Sequence, residues 1–273
     1  MRPNTARTVV ATLMNESCLK FLAVGTGTDT RRIAVSMRKG APPGLLWLGG
    51  FKSDMQGIKA QALDRWAADQ GRAMVRFDYS GHGESGGDFA SGTIGRWLEE
   101  SLAVFDACCG GRQVLVGSSM GAWLALLLVR ALARRDAAAE TRVIGLVLIA
   151  PAVDFTEELM WKRFTPEARS TIEREGAWAR PSQYSDEPYL ITRALIEEGR
   201  DHLLLGGMIE TGCPVRILQG VQDPDVPWQH ALELSARFAR DDVVLTMVKD
   251  GDHRLSRPED IERLIAAVAE FSS

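Results

Sequence analysis

The sequence predicts an α/β protein: a mostly parallel, doubly wound sheet preceded by an antiparallel hairpin and interrupted by a helical cap insertion. Three observations lead there. From Leu45 onward, short continuously apolar runs alternate with stretches of helical spacing, as expected of strands buried on both faces and the helices that cover them. Before Leu45, two short runs flank a Gly/Thr/Asp centre. Between Val153 and Gly212 the alternation lapses.

In chain order, Leu19–Val24 and Arg32–Met37 flank Gly25-Thr26-Gly27-Thr28-Asp29 and read as a hairpin. Lys39–Gly44, with Pro42-Pro43, breaks the pattern, and Leu45–Leu48 is a buried strand ended by Gly49-Gly50-Phe51. Ala62, Leu63, Trp66 and Ala67 place a helix over Lys59–Gln70, stopped by Gly71. Met74–Phe77 is the next strand, and it opens into a glycine-rich loop, Asp78–Gly87. Ile94, Trp97, Leu98, Leu102 and Phe105 share one face of a helix over Thr93–Cys109. A strand at Val114–Val116, a helix running to Arg135 and a strand over Arg142–Ala150 follow.

The next sixty residues hold helix-like pieces at Glu157–Phe164, Pro166–Glu175 and Tyr189–Gly199, with no clear buried strand. Their apolar content is too small for a separate core. Residues 153-212 are therefore expected to form a helical cap subdomain inserted into a core made of 1-152 and 213-273. The sheet resumes at Val215–Leu218, and a helix over Trp228–Arg240, a strand at Val243–Val248 and a closing helix over Pro258–Phe271 complete it.

Composition narrows the partners. The 273 residues carry 32 basic and 36 acidic side chains, a net charge of −4 without a long run of one sign, which argues against a nucleic-acid footprint. Cys18, Cys108, Cys109 and Cys213 have neither disulfide-framework nor zinc-ligand spacing, so reduced thiols and no metal are expected. The longest apolar stretch, Ala122–Leu128, is too short to span a bilayer. Arg2 and Arg7 are followed by neither an apolar h-region nor a small-residue cleavage site, and a cytoplasmic location is expected. The pattern does not separate a monomer from a homodimer.

The chemistry concentrates at Gly117-Ser118-Ser119-Met120-Gly121, a glycine-bracketed serine between a strand-like and a helix-like run. This is the G-x-S-x-G nucleophile elbow, in which small neighbours let the serine occupy a sharp, strained turn. Only Ser119 stands at the centre of the bracket, so Ser118 is set aside. A serine hydroxyl needs a base within hydrogen-bond reach and an acid to orient that base. His253, just past the last strand, lies on the carboxyl rim that Ser119 shares; its plain alternative is a surface turn histidine. His82, on the same rim but ahead of the serine in the chain, is expected to shape the site edge or to have no role, while His202 and His230 are expected to be structural or exposed. Asp223 and Asp225, at the exit of the Val215 strand, are both able to serve as the acid, and Asp-Pro is also an ordinary turn former. Asp78 is a third candidate, disfavoured by chain order. Two backbone donors, the N–H groups of Phe51 and Met120, are placed to form an oxyanion hole. Met160, Trp161, Phe164 and Trp178 either line an acyl-binding cleft or form the cap's own small core.

The order Gly-Gly-Phe, Asp-Tyr-Ser-Gly-x-Gly-x-Ser, Gly-x-Ser-x-Gly, Asp-x-x-Val-Pro and Gly-Asp-His resembles the α/β-hydrolase superfamily along nearly the whole chain. In that family the acid is the first residue of Asp-x-x-Val-Pro, so the resemblance selects Asp223. Ser53–Ala60, Arg76–Gly81, Leu115–Trp123, Asp225–Gln229 and Pro181-Ser182-Gln183-Tyr184 are more narrowly similar to a group of palmitoyl-protein thioesterases and acyl-glucuronide esterases. The resemblance implies an α/β-hydrolase fold and a Ser119–Asp223–His253 triad acting on small-molecule or acyl-protein esters and thioesters without a cofactor. A peptidase or a carbon–carbon bond hydrolase on the same fold is the alternative chemistry. A hydrolase-fold binding protein without turnover is the alternative class, disfavoured because all three triad positions are filled.

Overall fold

The computed structural model describes residues 17–135, 141–180, 188–239 and 242–271. Its main sheet has eight strands in the order β1-β2-β4-β3-β5-β6-β9-β10. These are β1 (Cys18–Val24), β2 (Arg31–Arg38), β3 (Ala41–Leu48), β4 (Arg72–Phe77), β5 (Gln113–Ser118), β6 (Val143–Ile149), β9 (Val215–Gly220) and β10 (Val243–Val248). The hairpin β1–β2 is antiparallel and joins β4 antiparallel, and every pairing from β4 to β10 is parallel. Parallel neighbours need crossover segments, which supply the covering helices.

Those helices lie on both faces, which is why the central strands are apolar at consecutive positions. Leu46, Leu48, Leu115 and Leu148 share one core with Trp97 and Phe105 of α2 (Ile94–Cys108) and Trp123 of α3 (Met120–Arg135). Leu45, Trp47, Val114, Val116 and Val147 share the other with Leu63 of α1 (Ile58–Asp69) and Leu264 and Val268 of α7 (Pro258–Ala269). Helix α6 (Trp228–Arg237) stops three residues short of the predicted end at Arg240, which lies outside the described residues.

Two local expectations are corrected. Strand β3 starts at Ala41 and runs through the cis-linked Pro42-Pro43 instead of starting after it. The prolines cannot donate to a ladder, and the pairing with β4 skips from Ala41 to Leu45 across them. In the segment between β6 and β9, where the sequence predicts the cap insertion, Tyr189–Thr192 is a strand, β8, instead of the first turn of a helix. It pairs antiparallel with β7 (Ala177–Arg180), and only then does α5 (Arg193–Gly199) begin, capped by the Thr192 hydroxyl. Tyr-Leu-Ile-Thr has the aromatic and β-branched character that fits a pleated surface once a partner strand is present. The remaining pieces are a π-helical turn at Thr156–Met160, a 3-10 turn at Trp161–Arg163, and α4 (Pro166–Glu175), capped by the Thr165 hydroxyl and closed by Gly176 at φ +83°. The Pro181–Tyr184 piece singled out in the sequence lies outside the described residues.

A buried charge cluster ties the hairpin to the parallel sheet. Asp64 of α1 accepts hydrogen bonds from Arg38 of β2 at 2.9 and 2.8 Å, from Arg76 of β4 at 3.3 Å, and from the Ser17 hydroxyl at 2.9 Å. Burial alone raises a carboxyl, but the Arg38 hydrogen bonds, the Arg76 charge and Ser17 outweigh it and hold Asp64 below the ordinary 3.8. A depressed carboxyl stabilises the fold above its unfolded pKa, and that contribution is lost as pH falls through the folded value. Asp64→Ala leaves two buried guanidinium groups without their carboxylate and is expected to cost about 3 kcal/mol in urea unfolding at pH 7. The difference from the parent protein should shrink below pH 4.

Candidate active site

Ser119 sits at φ +56°, in the left-handed region that a residue with a side chain enters only under constraint, at about 1–3 kcal/mol. It is the single residue between the end of β5 and the start of α3. Its N–H donates to the carbonyl of Ile149 at 2.8 Å, and its carbonyl accepts from Ala122 at 3.0 Å and Ala152 at 3.2 Å. The glycine bracket permits this. A Cβ on Gly121 would stand 2.0 Å from the Leu48 carbonyl oxygen, and one on Gly117 would stand 2.4 Å from the Gly121 carbonyl oxygen. Gly50 brings the β3–α1 turn against Ser119, because a Cβ there would lie 3.4 Å from the Ser119 Cβ.

The exits of the parallel strands are bonded to one another along the same rim. Ala150 N–H donates to Leu218 at 2.8 Å, Val221 N–H to Val248 at 2.9 Å, and Gln222 N–H to Gly251 at 2.9 Å. The last two hold the loop carrying Asp223 against the loop carrying His253. Gly220 must lack a side chain for them to meet, since its Cβ would fall 2.4 Å from the Gly251 carbonyl oxygen.

Between these loops His253 Nδ1 donates to Asp223 Oδ2 at 2.8 Å. The Asp223 side chain is 0% exposed and the imidazole 19%. The other carboxylate oxygen of Asp223 accepts from the N–H groups of Asp225 at 2.9 Å and Val226 at 2.8 Å. Gln219 Nε2 reaches Oδ2 at 3.4 Å while donating to the carbonyls of Gly220 and Val226, both at 2.9 Å. The carboxylate is therefore held on both sides. Because Nδ1 carries the proton in that bond, the neutral imidazole presents Nε2 as a lone pair. Asp225 serves Asp223 with a backbone donor. Donor atoms of Asp223, Asp225 and His253 lie within 4.8 Å of one another, but both Asp223 oxygens are already engaged by N–H groups, so this set suits proton transfer better than a cation.

Asp78 does not join this group. It is buried and accepts from Met55 N–H at 2.6 Å and Glu84 N–H at 2.8 Å, joining the β3–α1 turn to the β4–α2 loop. Burial raises its pKa, and those two N–H groups offset this only in part. His82 lies at the edge of the Phe51 turn, where its Nε2 accepts the Lys52 N–H at 3.1 Å. His202 contacts Glu198 at 2.7 Å, and His230 is bonded to the Val153 carbonyl at 2.9 Å.

Met120 is fully buried at the first position of α3, and Phe51 lies in the turn after β3. The Phe51 ring gathers an aromatic cluster that no sequence pattern announced: Phe89 at 4.9 Å between centroids, Phe155 at 5.6 Å, Trp97 at 6.0 Å and Tyr189 at 6.2 Å. Phe155 and Tyr189 come from the insertion, so it reaches the turn directly. Trp161 lies near the guanidinium groups of Arg169 and Arg200, at 5.5 and 5.2 Å, while Phe164 and Trp178 pack edge to face at 5.1 Å. Met160 is buried in the same core as Phe164. Among the described residues no helix is long and apolar enough to cross a membrane.

A serine at the apex of a strand–turn–helix, on the carboxyl rim of a mostly parallel sheet, defines a class. Residues 43–266 match the alpha/beta hydrolase family, and the chain belongs to it. Among curated relatives it is 39% identical over 242 residues to the mouse protein called palmitoyl-protein thioesterase ABHD10, mitochondrial, covering 88% of this chain and 79% of that one. A crystal structure of an Agrobacterium vitis S4 protein superposes with a TM-score of 0.91 at 49% identity, covering 94% of this chain and 99% of the other. The structure of alpha/beta hydrolase domain-containing protein 10 from mouse superposes with a TM-score of 0.81 at 36% identity, covering 93% and 98%. The chain is thus a hydrolase of alpha/beta fold, similar to the thioesterase ABHD10.

The close approach at the elbow is testable. Gly121→Val places side-chain atoms where the Leu48 carbonyl stands, and it is expected to lower the thermal unfolding midpoint by about 5 °C or more, on the order of 3 kcal/mol or more. Differential scanning fluorimetry provides the check.

Proposed function

We propose that the protein is a serine hydrolase that cleaves carboxylic esters or thioesters through an acyl-enzyme on Ser119. The observation that carries this reading is the Asp223–His253 hydrogen bond, which leaves Nε2 as the lone-pair nitrogen on the rim that bears Ser119. His253 Nε2 takes the hydroxyl proton as Ser119 Oγ attacks the acyl carbon. Asp223 keeps the tautomer and stabilises the imidazolium that forms. The N–H groups of Phe51 and Met120 receive the oxyanion, and His253 passes its proton to the departing alkoxide or thiolate. A water molecule, deprotonated by the same nitrogen, then releases the acid. Apart from substrate and water, these steps need only groups of the chain itself.

The acyl group is placed against Phe51, Phe155 and Tyr189, where the insertion meets the oxyanion turn. This surface suits an apolar acyl chain, and the similarity to the protein called palmitoyl-protein thioesterase supports a fatty acyl thioester as one substrate class. The tight packing of Phe164 with Trp178 favours a cap-core role for that pair.

Labelling with a fluorophosphonate probe tests the reaction class. The folded parent protein is expected to label and Ser119→Ala is not; absence of labelling on folded parent protein overturns the proposal. Asp223→Asn is expected to lower kcat by about 10⁴-fold, because the amide favours the wrong imidazole tautomer, while Asp225→Asn leaves kcat within about 3-fold. Steady-state kinetics on p-nitrophenyl butyrate separate the two. A series of p-nitrophenyl esters of graded length, with an S-acyl thioester and an acyl glucuronide alongside, should show an optimum at medium or long chains.

A further inference from the structure

The turn that carries Phe51 contains a second strained residue. Lys52 has φ +57°, again left-handed for a residue with a side chain. Such a conformation persists only where neighbouring groups hold it, and here the Lys52 N–H donates to Nε2 of His82 at 3.1 Å. The other ring nitrogen, Nδ1, lies 3.1 Å from the Ser80 carbonyl oxygen. A carbonyl only accepts, so Nδ1 carries the proton and Nε2 is the acceptor. Both ring nitrogens therefore require the same tautomer.

The ring is also locked in place. It is 4% exposed and stands among Phe89, Trp97 and Tyr79, with centroids at 5.2, 5.3 and 5.7 Å. Asp78 binds the same two segments at a second point through the N–H groups of Met55 and Glu84. The titratable groups around His82 are the Tyr79 phenol, the Lys52 ammonium and the Asp54 carboxylate, the last two lining a cavity of about 140 Å³ with it. Phe89 and Trp97 are uncharged.

We propose that His82 is a positioning residue for the oxyanion turn: its neutral imidazole accepts the Lys52 N–H, fixes the peptide plane between Phe51 and Lys52, and so restrains the left-handed turn whose preceding peptide, Gly50–Phe51, carries the Phe51 N–H. The proposal rests on the reading of Phe51 as an oxyanion donor. Protonating His82 would set an N–H against the Lys52 N–H and break the bond. Burial, with the Lys52 charge and against the hydrogen bond to Ser80, pushes the imidazole down to about 4, which keeps it an acceptor at neutral pH. The function of this histidine is thus distinct from that of His253, which gains and loses a proton in each cycle.

Two substitutions and one spectroscopic measurement test this. His82→Leu removes the acceptor, whereas His82→Gln keeps an oxygen able to reach where Nε2 stood. On p-nitrophenyl butyrate, His82→Leu is expected to lower kcat by about 10- to 100-fold with KM within about 3-fold, and to weaken binding of a trifluoromethyl ketone that forms a tetrahedral adduct by a similar factor. His82→Gln should recover most of both. Equal loss in the two variants, or a kcat within about 3-fold of the parent in His82→Leu, overturns the proposal. Nitrogen-15 NMR of the parent protein reads the ring without reference to turnover: an Nδ1–H tautomer that persists from pH 8 to pH 5 is expected, and an Nε2–H tautomer or an imidazolium at pH 6 overturns it. If Ser119→Ala keeps esterase activity, the reading of the whole site fails instead, and the NMR result still decides whether His82 is an acceptor.

Discussion

Everything at the rim depends on the close approach of β3, β5 and α3. Three backbones meet where a single added carbon on Gly121 would lie 2.0 Å from the Leu48 carbonyl oxygen. That contact lets the chain reverse from strand to helix within one residue, and the residue at the reversal, Ser119, is forced into a left-handed conformation. The cost is of the order of 1–3 kcal/mol, and the apolar packing of α3 beneath the turn easily supports it. Without that approach Ser119 would be an ordinary loop serine. With it, the hydroxyl stands at a helix N-terminus beside a backbone N–H.

From this point the site is built by relays of short-range bonds. Ser119 is tied to the exit of β6, β6 to β9, and β9 to β10, so the loops bearing Ser119, Asp223 and His253 are fixed to one frame. Asp223 then meets three N–H donors in addition to the glutamine amide, so both of its side-chain oxygens are held in place by the chain. A second relay serves the other side of the cleft. Asp78 and His82, both from the exit of β4, each accept an N–H from the β3–α1 turn and hold it in a strained shape. Two buried acceptors thus position the turn, and neither needs to touch a substrate.

The insertion contributes by contact with this turn. Phe155 at its start and Tyr189 on β8 touch the Phe51 ring from different segments. Asp154 anchors the base of the insertion by accepting the N–H groups of Leu204 at 2.9 Å and Leu205 at 2.8 Å, fifty residues away. An acyl chain placed there would be recognised by surfaces contributed jointly by the core and the insertion.

Much of this was legible in residue order. Alternating buried runs and amphipathic stretches specify a parallel sheet covered on both faces, because a strand shielded on each side must be apolar at every position. The glycine bracket around Ser119, and Asp223 and His253 at later strand exits, are local signals, and each can be read within a few residues. Other features depend on contacts between distant segments. Tyr189–Thr192 became a strand because Ala177–Arg180 pairs with it, and no local propensity records that partner. The bottom-up ambiguity between Asp223 and Asp225 is a matter of side-chain direction within one turn, and the hydrogen bond to His253 is made by Asp223. Trp161 lies near Arg169 and Arg200, and Phe164 packs against Trp178, contacts that composition alone does not reveal. His82 stands in a glycine-rich loop and is expected from sequence only to shape the site edge or to have no role; its partner, the Lys52 N–H, is thirty residues away and belongs to the backbone, where sequence carries no mark of it. Sequence determined the chemistry, through residue types at strand ends, while the tertiary structure decided which neighbours orient that chemistry, because orientation depends on contacts between segments far apart in the chain.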